Sequence, residues 1–118
     1  MPTKAAAFHA WASGFGLKAY AAESVPEGAP LPYITYVLGF AGFGEEYPAE
    51  LDVWHTSTAK ANAVCEAIGD ALGQGGEMLP CDGGAIWLKK GSPFWQAVAD
   101  EPGVYRRYVN IDIENLTA

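Results

Sequence analysis

The segment Tyr105 to Leu116 alternates strictly for twelve residues, with Tyr105, Arg107, Val109, Ile111 and Ile113 on one side and Arg106, Tyr108, Asn110, Asp112 and Glu114 on the other. Period two is the signature of an extended strand with one face buried, and a strand of this length needs paired neighbours along most of its course. It constrains the rest of the chain to supply a sheet. Arg106 and Arg107 are adjacent and therefore point to opposite faces, so one of them lies on or near the packed side. That position implies a buried ion pair or a pairing partner in another subunit.

Two further segments fit that sheet. Tyr33 to Leu38 is a run of β-branched, aromatic and aliphatic residues between Pro32 and Gly39, and reads as a buried strand. From about Ala49 to His55, Ala49, Leu51 and Val53 alternate with Glu50, Asp52 and Trp54, which predicts a core side and an exposed side carrying two carboxylates and an indole. The connection from Gly39 to Pro48 is too glycine-rich to pack tightly yet displays Phe40, Phe43 and Tyr47, and aromatic residues on a flexible hairpin invite a partner. A hairpin fits Glu77 to Lys90, turning at Asp82-Gly83-Gly84, with Ala85 to Leu88 as its second arm.

Helical spacing marks two segments. Pro2 to about Phe15 has Thr3 as N-cap and places Phe8, Trp11, Ala12 and Phe15 at three- and four-residue steps, with Gly14 and Gly16 as stops. From about Thr58 to Leu72, capped by Ser57 or Thr56, residues Ala61, Val64, Cys65, Ile68, Ala71 and Leu72 form one apolar stripe, and Gly73 to Gly76 end it. Ser92-Pro93 reads as an N-cap followed by proline at the first helical position, which predicts a short third helix to about Asp100. Leu17 to Pro32 is mostly loop, with Leu17 to Ala21 open to reading as a short strand. The expected architecture is a single α+β domain over residues 1–118, a mainly antiparallel sheet with two main helices on one face and a short third helix.

Composition narrows function. Half of the 118 residues are hydrophobic, enough for one core. Fourteen acidic against seven basic residues give a formal charge of −7, the wrong sign for gripping a phosphate backbone. No apolar run approaches the roughly 20 residues needed to cross a bilayer, and no charged-then-apolar leader opens the chain. Two cysteines are too few for a disulfide framework, which places the chain in a reducing compartment.

Catalytic and ligand motifs are weak. Cys65, Cys81, His9 and His55 are the only soft ligands, and none has zinc-site spacing, so no metal or other cofactor is expected. Cys65 lies on the apolar stripe of its helix and reads as a small buried hydrophobe; a Cys81 nucleophile activated by His55 lacks any supporting pattern. The glycine clusters lack the Gly-Lys-Ser/Thr step of a phosphate loop. Glu50 with Asp52 and Asp112 with Glu114 are carboxylate pairs at strand spacing. Each pair reads either as a solvated strand face or as an acidic surface turned toward something that must not stick; a glycosidase reading would need an aromatic sugar cleft.

The segments Leu31-Pro32-Tyr33-Ile34-Thr35-Tyr36, Asp52-Val53-Trp54, Leu79-Pro80-Cys81-Asp82-Gly83-Gly84-Ala85-Ile86-Trp87-Leu88, Gly91-Ser92-Pro93-Phe94 and Arg106-Arg107-Tyr108-Val109-Asn110-Ile111, in that order over nearly the whole chain, resemble the tail terminator or tail completion proteins of long-tailed bacteriophages and prophages. The resemblance implies a non-enzymatic virion protein of the phage neck, made in the host cytoplasm. It implies a homo-oligomeric ring, commonly a hexamer, that caps the tail tube, stops its polymerisation and docks to the head-tail connector or stopper. DNA would pass through such a ring without specific binding. On this reading Phe40, Phe43, Tyr47, Arg106 and Arg107 are candidate assembly residues, and Glu50, Asp52, Asp112 and Glu114 are candidate channel-facing acids. The alternatives are another neck protein, a stopper or adaptor, or a small binding module or thiol-dependent enzyme using Cys81.

Overall fold

A computed structural model describes residues 1–118, arranged as α1 (Lys4–Ala12), β1 (Lys18–Ala21), β2 (Tyr33–Val37), β3 (Glu46–His55), α2 (Thr58–Leu72), β4 (Glu77–Cys81), β5 (Gly84–Val98) and β6 (Tyr105–Thr117). The strands form one six-stranded sheet in the order β1-β2-β3-β6-β5-β4, with β1 parallel to β2 and every other pair antiparallel. The long alternating segment is β6, and it lies between β3 and β5 at the centre of the sheet. Its inward residues Val109, Ile111 and Ile113 are fully buried with Leu51, Val53, Ile34, Ile86 and Leu88 of the neighbouring strands.

The chain is α+β, but the expected arrangement of helices layered over one face is not the one found. The sheet curls into a half-barrel around its own apolar face. Helix α2 packs against β3, β6 and β5 in the middle of the sheet, whereas α1 touches β4 and β1, the two outermost strands, and so lies across the open seam. Trp11 Nε1 donates to Glu77 of β4 at 3.0 Å, and the Asp82 amide donates to the Pro2 carbonyl at 2.8 Å. On the other side of the seam, His9 Nδ1 meets the Tyr36 hydroxyl of β2 at 2.7 Å. Right-handed twist bends a sheet of this length, and α1 fills the gap that the bend leaves.

The third helix is also corrected: Ser92 to Val98 belongs to β5, with a register irregularity between Lys90 and Trp95. β6 runs on to Tyr105, and its Arg106 to Val109 need partners; Trp95 to Val98 supply them. A ladder along a long central strand outweighs the local preference of a Ser-Pro step for a helix start. Pro93 is accommodated because β4 pairs with β5 only from Gly84 to Leu88, leaving the upper arm of β5 with a single neighbour. Phe94 then packs against Gly69 of α2, where an added Cβ would come within 3.0 Å of its ring.

Local chemistry explains the remaining boundaries. The Thr3 hydroxyl accepts from the Ala6 amide at 3.1 Å, α1 ends at Ala12 in a short 3₁₀ turn through Phe15, and Gly16 takes the left-handed conformation that closes it. Ser57 caps α2, accepting from the Lys60 amide at 3.2 Å. β3 begins at Glu46, earlier than the alternation suggests, because β6 pairs with it as far as Glu46 opposite Glu114; β2 pairs only with Glu50 to Trp54, so Pro48 sits where one side of the strand is open. Leu17 to Ala21 contains the short strand β1.

Candidate functional site

The connection between β2 and β3 is tied down at its base. Asn115, buried at the end of β6, donates from Nδ2 to the Ala41 carbonyl at 2.8 Å, and its own backbone exchanges bonds with Gly44 (2.7 Å) and Glu45 (3.1 Å). The Tyr47 ring lies directly on Gly39, where no Cβ would fit. These contacts make the connection a defined turn despite its glycines. The three aromatic residues separate accordingly. Phe40 folds back against the core, with the Lys4 ammonium 5.1 Å above its ring. Phe43 projects from the turn, 68% exposed, and Tyr47 is 48% exposed. Beside Tyr47 lies a cavity of about 240 Å³ lined by Val37, Leu38, Pro48, Glu50 and Tyr108.

The four candidate acids share the outer face of the sheet and do not form an open acidic wall. Asp52 is only 4% exposed; its Oδ2 accepts from Arg106 Nη2 at 3.2 Å, while its Oδ1 and Arg106 Nε have no partner. Burial raises the Asp52 pKa above the ordinary carboxylate value, against the pull of Arg106 and with a push from Glu50. Glu50 accepts from the Tyr108 hydroxyl at 3.3 Å. Glu114 and Glu46 share the Lys89 ammonium at 2.7 and 2.8 Å, and that ammonium also lies 4.1 Å from the Trp87 ring. Asp112 makes no ion pair and no side-chain hydrogen bond.

The two arginines lie on opposite faces. Arg106 stacks on Trp54, its guanidinium carbon 4.6 Å from the ring, and Trp54 Nε1 donates to Thr35 Oγ1 at 2.9 Å. Arg107 is buried on the inner face and meets neither a carboxylate nor a free surface. Its Nε donates to Asn62 of α2 at 2.8 Å and its Nη1 to the Arg106 carbonyl at 3.1 Å, so the contact it makes fastens α2 to the sheet. The outer-face network of Trp54, Thr35, Asp52, Arg106 and Tyr108 is a feature the sequence pattern places on one face without revealing its closure. Its signal was the polar half of two alternating strands.

The thiol and imidazole groups stay apart. Cys65 and Cys81 are free and buried, and burial pushes the Cys65 thiol up to about 12, far from a thiolate at neutral pH. His55 pairs with Tyr105 at one end of β6, whereas Cys81 pairs with Gly84, which pairs with Thr117 at the other end. Twelve residues of strand separate the two ends by roughly 40 Å, so His55 cannot activate Cys81. Burial, with Lys60 adding to it, holds the His55 imidazole below its usual pKa, and its Nδ1 accepts from the Thr56 amide at 2.9 Å. No three His, Cys, Asp or Glu side chains cluster as a metal would require, and no helix is long and apolar enough to cross a membrane. Compared with known proteins, the chain matches no family model, no curated protein and no solved structure.

Proposed function

We propose that the chain is a structural protein of a phage neck, a tail terminator that assembles as a homo-oligomeric, hexameric ring, caps the tail tube and meets the head-tail connector. The observation that carries this reading is Phe43: a large apolar side chain, 68% exposed, presented at the tip of a turn that Asn115 and Tyr47 hold in place. A rigid turn presenting an aromatic residue to solvent has met its ordering cost in the free subunit and is suited to binding. The resemblance of the ordered motifs to tail terminators supplies the identity of the partner, the tail tube protein. Because Asp52 and Glu114 are each ion-paired within the subunit, the acidic lining proposed for a DNA channel falls to Glu50 and Asp112, which carry no ion pair.

Phe43→Ser tests the proposal. The expected result is a melting temperature close to that of the parent, since surface changes usually stay within about 0.5 kcal/mol, together with loss of length control when tail tube protein polymerises in its presence. Phe40→Ser is the contrast, because Phe40 packs on the core and its loss lowers stability. A Phe43→Ser chain that caps tubes as well as the parent would overturn the proposal.

A further inference from the structure

Two strand edges are open at one end of the sheet. β1 is the outermost strand on its side, and on the other side β5 continues past the end of β4, so its Trp95–Val98 arm has β6 as its only neighbour. No backbone bond outside the sheet and helices involves Lys18 to Ala21 or Trp95 to Val98. Beside β1, between it and the end of α1, lies an open groove of about 620 Å³ lined by His9, Ser13, Leu17 and Lys18 to Tyr20.

We infer that these two edges pair between copies, β1 of one chain against the Trp95–Val98 arm of the next. The inference rests on the ring reading above and specifies the contact that would build it. Four complete rows cross the sheet and end on these two segments: Lys18-Tyr33-Trp54-Arg106-Val98, Ala19-Ile34-Val53-Arg107-Ala97, Tyr20-Thr35-Asp52-Tyr108-Gln96 and Ala21-Tyr36-Leu51-Val109-Trp95. Following the pairings, β1 runs parallel to β2 and β6 and antiparallel to β5, so a neighbouring copy offers β5 in the orientation of an ordinary antiparallel ladder. The faces also match. Lys18 and Tyr20 share the outer face with Val98 and Gln96, and Ala19 and Ala21 share the inner face with Ala97 and Trp95, so a joined row keeps its apolar side continuous.

Charge selects the pairing. Lys18 makes no ion pair in its own chain. In the joined row it lies opposite Val98 of the next copy, two residues from Asp100 and three from Glu101, which are exposed on the β5–β6 turn. A lysine on an edge strand ordinarily blunts it against indiscriminate pairing; next to an acidic turn it favours this edge over others. Because one surface meets a different one, the contact is head-to-tail, the kind that builds a ring when the rotation from copy to copy closes.

The test is a cysteine pair, Tyr20→Cys with Gln96→Cys, in the full chain. Within one copy these positions end the same row four strand spacings apart, about 19 Å in a flat sheet, too far for an internal disulfide. Cys65 and Cys81 are buried and do not compete. Mild oxidation is expected to give a ladder of covalent oligomers that either single variant lacks. Lys18→Glu should lower the association constant about tenfold, and adding Asp100→Lys and Glu101→Lys to it should restore association. Oligomers without a ladder, or a chain that stays monomeric at its solubility limit and gives no ladder, would overturn the pairing. If Lys18 acts only as an edge guard, Lys18→Glu leaves association unchanged, and the pairing falls too. Tube length, scored in parallel, separates the two claims: a ladder with uncontrolled tubes removes the terminator reading alone, and controlled tubes without a ladder remove the edge pairing alone.

Discussion

Asp52 is a buried carboxylate whose single ion-pair partner satisfies only one of its oxygens. It is buried beneath Trp54, Tyr108 and Arg106, holds one hydrogen bond from Arg106, and leaves a second oxygen without a partner. Its raised folded-state pKa means that the folded chain holds this proton more tightly than the unfolded chain does. The Asp52 contribution is therefore unfavourable above the folded-state pKa, and the penalty is lifted as pH falls toward the ordinary carboxylate value. Arg106→Leu removes both influences that lower the Asp52 pKa and leaves a buried carboxylate alone. We expect it to destabilise the chain at neutral pH by about 2–3 kcal/mol, below the roughly 3–5 of a fully buried pair because Arg106 keeps contact with water. The loss should shrink as the pH is lowered toward 4, since the stranded carboxyl then takes a proton. Asp52→Asn keeps an acceptor for Arg106 and should cost little at neutral pH. Denaturant titrations of the three chains at several pH values check both the sign and the window. A loss in Arg106→Leu that grows on acidification would contradict this account.

At the scale of elements, local signals were readable and long-range ones were not. The bounds of α2 were legible because cap, stripe and terminal glycines agree, although Ala71 of the expected stripe is exposed, and β6 was legible because its alternation is unbroken. The upper arm of β5 was misread because Ser92-Pro93 is locally a helix start, and only the need of Arg106 to Val109 for partners decides otherwise. The same holds for the β2–β3 connection. Its glycines suggest freedom, whereas its order comes from Asn115, which is 74 residues from Ala41 in sequence. Asn115 also accepts from the Thr117 amide at 3.1 Å and hydroxyl at 2.6 Å. Asn115→Ala should therefore free the turn and strand those buried donors, costing about 2 kcal/mol. Hydrogen exchange checks the assignment: protection should fall at Thr117 and around Gly42 to Glu45 and persist in α2. Of the candidate assembly residues, the exposure of Phe43 was legible from its glycine neighbours, but the inward turns of Phe40 and Arg107 depended on contacts that no spacing reveals.

The whole molecule is elongated, 45 × 30 × 20 Å, and its curl depends on contacts across the full length of the chain. Lys4 reaches Thr117 at 3.4 Å over 113 residues of sequence, and Trp11 reaches Glu77 over 66. This is why a half-barrel could not be read from periodicity: each strand announces its two faces, but closure resides in which distant edges one helix bridges. α1 bridges them with one large, fully buried anchor, Phe8, whose ring lies 5.3 Å from Tyr36 of β2 and 5.5 Å from Trp11. Phe8→Ala should leave a cavity at the centre of the seam and cost about 3–5 kcal/mol, a large share of the roughly 5–15 available to a domain. If α1 were an appendage, its loss of anchoring would appear as a separate early transition, with the sheet and α2 melting near the parent temperature. The core argues otherwise, because Phe8 belongs to the same contiguous cluster as Leu51 and Val53 of β3, Ile68 of α2 and Ile111 of β6. The expected outcome is one cooperative transition lowered by roughly 4 °C per kcal/mol lost. Coincident near-ultraviolet and far-ultraviolet melting curves in the variant would confirm that α1 is integral to the half-barrel, and split curves would show it to be a detachable cover.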